Sequence, residues 1–102
     1  MTVTTKFSED NKKVSIVIEG RFDFGLHQKF RTSYSDATQT GTTFYLDLSQ
    51  ATHIDSSALG MILLLKDHVH NIDGEMSIQH PQDNVYKILE IAQFHRLFKI
   101  ER

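Results

Sequence analysis

The sequence predicts an α/β fold, with strands and helices in the order β-β-α-β-α-β-α-β. Three observations lead there. Short β-prone runs (Val14–Ile18, Phe44–Leu48 and Met76–Ile78) alternate with segments whose apolar residues recur at helical spacing. Val3–Phe7 and Val14–Ile18 are separated only by a polar turn, so the chain opens on an antiparallel pair. From there on each strand is followed by a helix, the pattern of parallel crossovers. At 102 residues with 39% hydrophobic content, the chain has material for one core, and residues 1–102 are read as a single domain.

The elements follow in order. Val3–Phe7 is short and β-prone, and Ser8-Glu9-Asp10-Asn11-Lys12 is turn-like. Val14-Ser15-Ile16-Val17-Ile18 completes a hairpin, with Gly20 expected to end it and Arg21–Gly25 expected to form a loop. Leu26, Phe30, Ser33 and Ala37 fall at helical spacing, with Gly41 as the stop signal. Phe44–Leu48 reads as a central strand and Ser49–Ile54 as a connection. A helix then begins at Asp55-Ser56-Ser57. Asn71–Gly74 is a turn cluster, Met76–Ile78 a short strand and Pro81 a break. Val85, Ile88, Leu89 and Ala92 form the stripe of a one-sided helix, and Leu97–Ile100 is a last strand.

The segment His53–Lys66, HIDSSALGMILLLK, is the most informative. Helix N-termini leave backbone N–H groups unpaired, and Asp and Ser side chains accept from them. Asp55-Ser56-Ser57 therefore reads first as a cap. Ala58, Ile62, Leu65 and Val69 then cluster on one side of the helix, the side expected to face the sheet. Leu63 and Leu64 fall on the other side, flanking Gly60 and Asp67. A one-domain chain has little material to cover that side, so its apolar excess is read as a protein-binding surface. A phosphate on a hydroxyl at the mouth of this helix would sit at the positive end of the helix dipole, where the fold tolerates it. It would add about −1.5 to −2 charge beside the contact surface.

Composition narrows the function classes. The net charge of −2 carries no basic footprint for nucleic acid and no polybasic membrane anchor. The absence of cysteine removes disulfides, thiolate nucleophiles and cysteine-based zinc sites. The six histidines lack convincing ligand spacing, so neither a metal nor a cofactor is expected. No apolar run approaches the roughly 20 residues of a membrane span, and the start of the chain lacks a secretory pattern. The expected place is the cytoplasm. A hydrolase built from His53, Asp55 and Ser56 is disfavoured, because sequence adjacency is not triad geometry and the G-x-S-x-G elbow is absent. No catalytic residue is assigned.

The run Phe44-Tyr45-Leu46-Asp47-Leu48-Ser49, a gap, then Ile54-Asp55-Ser56-Ser57-Ala58-Leu59-Gly60 resembles the STAS domain, and more narrowly the bacterial anti-sigma factor antagonists. Gly20 and Asp23 resemble the family's turn before the first helix, and Val85–Glu90 with Leu97–Ile100 resemble its last helix and strand. The resemblance implies a STAS-like mixed sheet of about four to five strands with helices packed on one face. It implies a partner-switching regulator, not an enzyme. The unphosphorylated form would bind an anti-sigma factor, a serine kinase of GHKL type, or a downstream regulator, and a PP2C-like phosphatase would reverse the modification. Carried over, the phosphoacceptor is Ser56, supported by Asp55, Ser57 and Asp23; Asp55 would orient the hydroxyl, and Ser57 would cap. Ala58, Leu59, Gly60, Leu63, Leu64 and Asp67 are the expected partner-binding residues. The sequence departs from the family in carrying Ala58 where Gly is common and Phe22 where Leu is common. Many members also have a further C-terminal helix, whereas this sequence stops at Arg102. The competing expectation is a STAS module outside sigma regulation, serving as a subunit of a transport or signalling complex or binding a nucleotide or lipid.

Overall fold

A computed structural model describes residues 2–102. Five strands form one sheet in the order β1-β2-β3-β4-β5. They are β1 (Thr2–Phe7), β2 (Lys13–Phe22), β3 (Thr43–Ile54), β4 (Glu75–Gln79) and β5 (Lys99–Glu101). Only β1 and β2 pair antiparallel; every later pair is parallel. The crossovers run through α1 (His27–Ser35), α2 (Ser56–Asn71) and α3 (Asp83–Ile91), with 3₁₀ turns at Phe24–Leu26 and Phe94–Arg96. Each crossover steps one strand in the same direction. A common right hand therefore places all three helices on one face of the sheet.

The strand registers show which face that is. Val14 pairs with Phe44 and Phe44 with Met76, while Ile16, Leu46, Ile78 and Ile100 form the next row. Val14, Ile16, Phe44, Leu46 and Ile78 are at most 1% exposed, and they meet Ile62 and Leu65 of α2, which are fully buried. The other face carries Ser15, Tyr45, Asp47 and Gln79, all half-buried. α3 contributes Val85 and Leu89 to the core, with Ile88 and Ala92 packed at its margin.

The element order matches the sequence expectation, but several boundaries differ. β2 does not end at Gly20. It runs through Phe22, because Gly20 adopts φ +89°, which only glycine takes readily, and bends the strand where its register with β3 shifts. The first helix ends at Ser35, before the expected Ala37. Leu97 lies outside β5 and is 49% exposed.

Ser49–Ile54 is not a connection. It continues β3 to a length of 12 residues, paired with β2 as far as Phe22–Ile54. β4 ends at Gln79, opposite Asp47, so β2 and β3 project beyond the rest of the sheet as a two-stranded ribbon. Carbonyls on the ribbon's open edge would lack partners. The start of α3 supplies them: Gln82 Nε2 donates to the Ser49 carbonyl and Asn84 Nδ2 to the Thr52 carbonyl, each at 2.9 Å.

Candidate functional site at the start of helix α2

The ribbon ends at Phe22 and Ile54, a registered pair buried to within 1%. The chain leaves it at Asp23 on one side and Asp55 on the other. Both acidic residues therefore stand at the carboxyl ends of adjacent parallel strands, where open α/β sheets present their sites. Each is an N-cap. Asp23 opens the 3₁₀ turn and accepts from the Gly25 N–H at 2.9 Å. Asp55 opens α2 from an extended backbone, and its Oδ1 accepts from the Ala58 N–H at 3.0 Å.

The same Oδ1 accepts the Ser57 hydroxyl at 2.6 Å. Together these bonds, the hydroxyl first and the Ala58 N–H second, hold the Asp55 carboxyl below its ordinary value of 3.8, with His53 adding a smaller pull. Two sequence expectations change as a result. The hydroxyl that Asp55 orients belongs to Ser57, not Ser56. Ser57 does not itself cap the helix; it bonds to the residue that does.

Ser56 is the first residue of α2, and it is exposed. It heads a ridge: Gly60, Leu63 and Asp67 follow at i+4, i+7 and i+11, on the same side of the helix. All three are exposed, Leu63 at 39%, and Leu64 beside them reaches 52%. Leu59 is half-buried and packs on the core margin. Ala58 is a correction. It is fully buried under the helix, turned to the sheet with Ile62 and Leu65, and offers a partner nothing to touch.

Sequence reasoning missed Arg21 and Phe24 as neighbours of the site, and weighed His53 only as a member of a triad. Arg21 and His53 are registered partners on the last rungs of the ribbon, and Arg21 Nε lies 3.6 Å from Asp23 Oδ2, a loose ion pair. Phe24 is 65% exposed and stacks on His27 with ring centroids 4.9 Å apart. The signal for Phe24 was its place in Asp23-Phe24-Gly25, a turn too short to bury a ring. The pairing of Arg21 with His53 was hidden because both stretches were read as loops. Among the described residues His53 makes no hydrogen bond to Ser56 or to Asp55, whose Oδ1 is taken up by the Ala58 N–H and the Ser57 hydroxyl.

A mixed five-stranded sheet with its three helices on one face is the architecture of the STAS fold. The STAS domain family model matches residues 3–102, and the chain belongs to that family. A STAS-domain containing protein of Pseudomonas aeruginosa (strain UCBPP-PA14) is 45% identical over 100 residues, covering 98% of this chain and 99% of that one. The anti-sigma factor antagonist SpoIIAA in its unphosphorylated form, described in its phosphorylated form as a Bacillus cell fate determinant, superposes with a TM-score of 0.81 at 17% identity. That match covers 99% of this chain and 89% of SpoIIAA. A sulfate transporter family protein of Wolinella succinogenes superposes with a TM-score of 0.79 at 14% identity, over 94% of this chain and 80% of that one. The fold is thus shared by antagonists and a transporter domain, and the choice between them falls to the site. No helix is long and apolar enough to cross a membrane among the described residues.

Proposed function

We propose that the protein is a non-enzymatic partner-switching regulator of the anti-sigma factor antagonist kind, with Ser56 as its phosphoacceptor. One observation carries the reading. Of the two adjacent hydroxyls, Ser57 is held by Asp55 at 2.6 Å, whereas Ser56 is exposed at the head of an apolar ridge. Phosphate on Ser57 would break the cap and set a dianion against a carboxylate. Phosphate on Ser56 leaves the cap intact and lies among the unpaired N–H groups of the first turn, where the dipole favours it. The added charge, about −1.5 to −2, then stands at the end of a surface made by Leu63 and Leu64. A partner docked there meets a desolvation cost that the bare hydroxyl does not impose.

In this reading the partner is a serine kinase of GHKL type acting as anti-sigma factor, or a downstream regulator, and a PP2C-like phosphatase resets the switch. Asp23, Asp55 and Ser57 support the acceptor, and Leu59, Gly60, Leu63, Leu64 and Asp67 form the docking face. The setting is the bacterial cytoplasm. The alternative, a STAS module serving as a subunit of a transport or signalling complex or binding a nucleotide or lipid, does not call on the contrast between the held Ser57 and the exposed Ser56 hydroxyl.

The test is a pull-down from the native host with Ser56→Ala and Ser56→Asp, followed by mass-spectrometric mapping after incubation with the captured kinase and ATP. Ser56→Ala should retain a partner that Ser56→Asp releases, and phosphate should map to Ser56. Equal retention by both variants, or phosphate on Ser57 with Ser56 untouched, overturns the reading.

A further inference from the structure

The two edges of the sheet are unlike. β5 is three residues long and carries charges at Lys99 and Glu101, the usual protection of an edge. β1 has six residues, a single charge at Lys6, no proline and an unbroken register with β2. Its outward-pointing N–H and C=O groups are a template for a further strand. A groove of about 520 Å³ runs along this edge, between β1 and α1. Val3, Thr5 and Phe7 line it from the strand, and Lys29 and Asp36 from the helix. Phe7 is 48% exposed, a large apolar side chain with open space beside it.

The helix is laid along the strand in a defined sense. Thr5 Oγ1 lies 3.4 Å from the Ser33 carbonyl, so α1 passes close beside β1. α1 returns from the end of β2, to which β1 is antiparallel, and so it runs in the same direction as β1. Asp36 therefore stands at the Phe7 end of the groove, where the two residues also share a neighbouring hollow, and Lys29 stands toward the Val3 end. Both are exposed, and neither forms an ion pair among the described residues. A second copy of β1 fits this edge in one register. Pairing about a two-fold axis is antiparallel, and opposed residues share a face of the sheet. With the axis at Thr5, Phe7 opposes Val3 of the second copy, and Lys6 opposes its Thr4. An axis at Lys6 would set the two lysines against each other, and one at Thr4 would carry Phe7 past Thr2, where the strand begins. The axis at Thr5 also turns the Asp36 end of one groove toward the Lys29 end of the other.

We propose that β1 is a dimerisation edge. Two copies of the chain join β1 to β1, antiparallel about Thr5, and their sheets become continuous. Each Phe7 lies on Val3 of the other copy, and each Asp36 faces Lys29 of the other copy across the groove. None of these residues belongs to the face proposed around Ser56, so the dimer leaves both switch faces open. The two readings are independent, and either can fail without the other.

Sedimentation equilibrium on the full chain tests the dimer, and the parent should show a reversible monomer–dimer association. Asp36→Lys and Lys29→Asp should each raise the dissociation constant about fivefold or more, since each reverses two symmetry-related contacts. The double variant exchanges the charges and should return to within about twofold of the parent. Thr4→Lys, which sets a lysine opposite Lys6, should weaken the dimer by a similar factor, and Thr4→Glu should tighten it. Thr4, Lys29 and Asp36 are all exposed, so these changes spare the core. The chain has no cysteine, so Thr5→Cys places a single thiol on the axis. Oxidised glutathione should link it to its own copy at least about tenfold faster than it links Lys6→Cys, whose opposite residue is Thr4. A parent that stays monomeric to about 1 mM overturns the dimer. Association unchanged by Asp36→Lys and Thr4→Lys, or not restored in the double variant, overturns β1 as the interface. Equal linking of the two cysteine variants overturns the register.

Discussion

Replacing Asp55 by alanine tests the physical basis of the site. The substitution removes the acceptor of the Ala58 N–H at 3.0 Å and of the Ser57 hydroxyl at 2.6 Å. Loss of an N-cap costs about 1 kcal/mol, with an upper range of about 2 kcal/mol. The second bond argues for the higher half of that range, although the freed Ser57 hydroxyl can turn to water. Asp55→Asn keeps a carbonyl acceptor and should fall within about 0.5 kcal/mol of the parent. The difference also has a pH signature. The Asp55 carboxyl is held below its ordinary 3.8, so the folded state binds its proton less tightly than the unfolded state. Its contribution is therefore complete above that value and is lost as pH falls through the lower folded value. Urea unfolding followed by circular dichroism should show the gap between parent and Asp55→Ala at neutral pH, and the gap should close in acid. A gap under about 0.3 kcal/mol near neutrality would refute the capping argument, as would one that persists unchanged in strong acid.

Three further predictions follow from the same surface and its supports. Leu64→Lys, at a position 52% exposed, should leave the thermal midpoint within a few degrees of the parent while weakening partner capture about tenfold or more; unfolding would show that Leu64 belongs to the core. Gly60→Ala should stabilise the fold by about 0.5–1 kcal/mol in urea unfolding, since a Cβ there meets no atom within 4 Å; if a partner's backbone approaches at that point, the same change will weaken capture. Gly74→Ala should destabilise by about 1–3 kcal/mol in the same assay, because its Cβ would stand 2.3 Å from the Thr42 carbonyl oxygen.

Much of the fold was legible because periodicity reports burial directly. Ala58, Ile62, Leu65 and Val69 repeat at helical spacing and are all core, and the opposite residues Gly60, Leu63, Leu64 and Asp67 are all exposed. Met61 was not assigned, because a helix on a sheet buries a wider face than a single stripe. Ala58 was assigned to the wrong role for a simpler reason: closeness to Ser56 in sequence is a turn of 100° or so per residue around the helix. The half of β3 from Ser49 to Ile54 was misread because its composition, Ser-Gln-Ala-Thr-His, is that of a loop. Its strand character comes from pairing with β2 and from the two amide side chains of α3, which lie more than 30 residues away. Side chain–backbone bonds over that separation leave no local pattern to read.

That misread half-strand matters most for the site. Had β3 ended at Leu48, the start of α2 would sit level with the end of β4, and the neighbouring crossover would crowd it. The extension carries Asp55 and Ser56 past β4, to the rim where β2 delivers Asp23, Phe24 and the Arg21–Asp23 pair. A macromolecule can then reach the Ser56 hydroxyl and the ridge of Leu63 and Leu64 in one approach. In the proposed switch the cap faces the opposite requirement, because a phosphorylated helix start must remain a helix start. Asp55 meets it by holding Ala58 and Ser57 on one oxygen, leaving the first residue of the helix without a structural task. Ser57 is tied to the cap and Ser56 is not, which is why the proposed switch falls on Ser56.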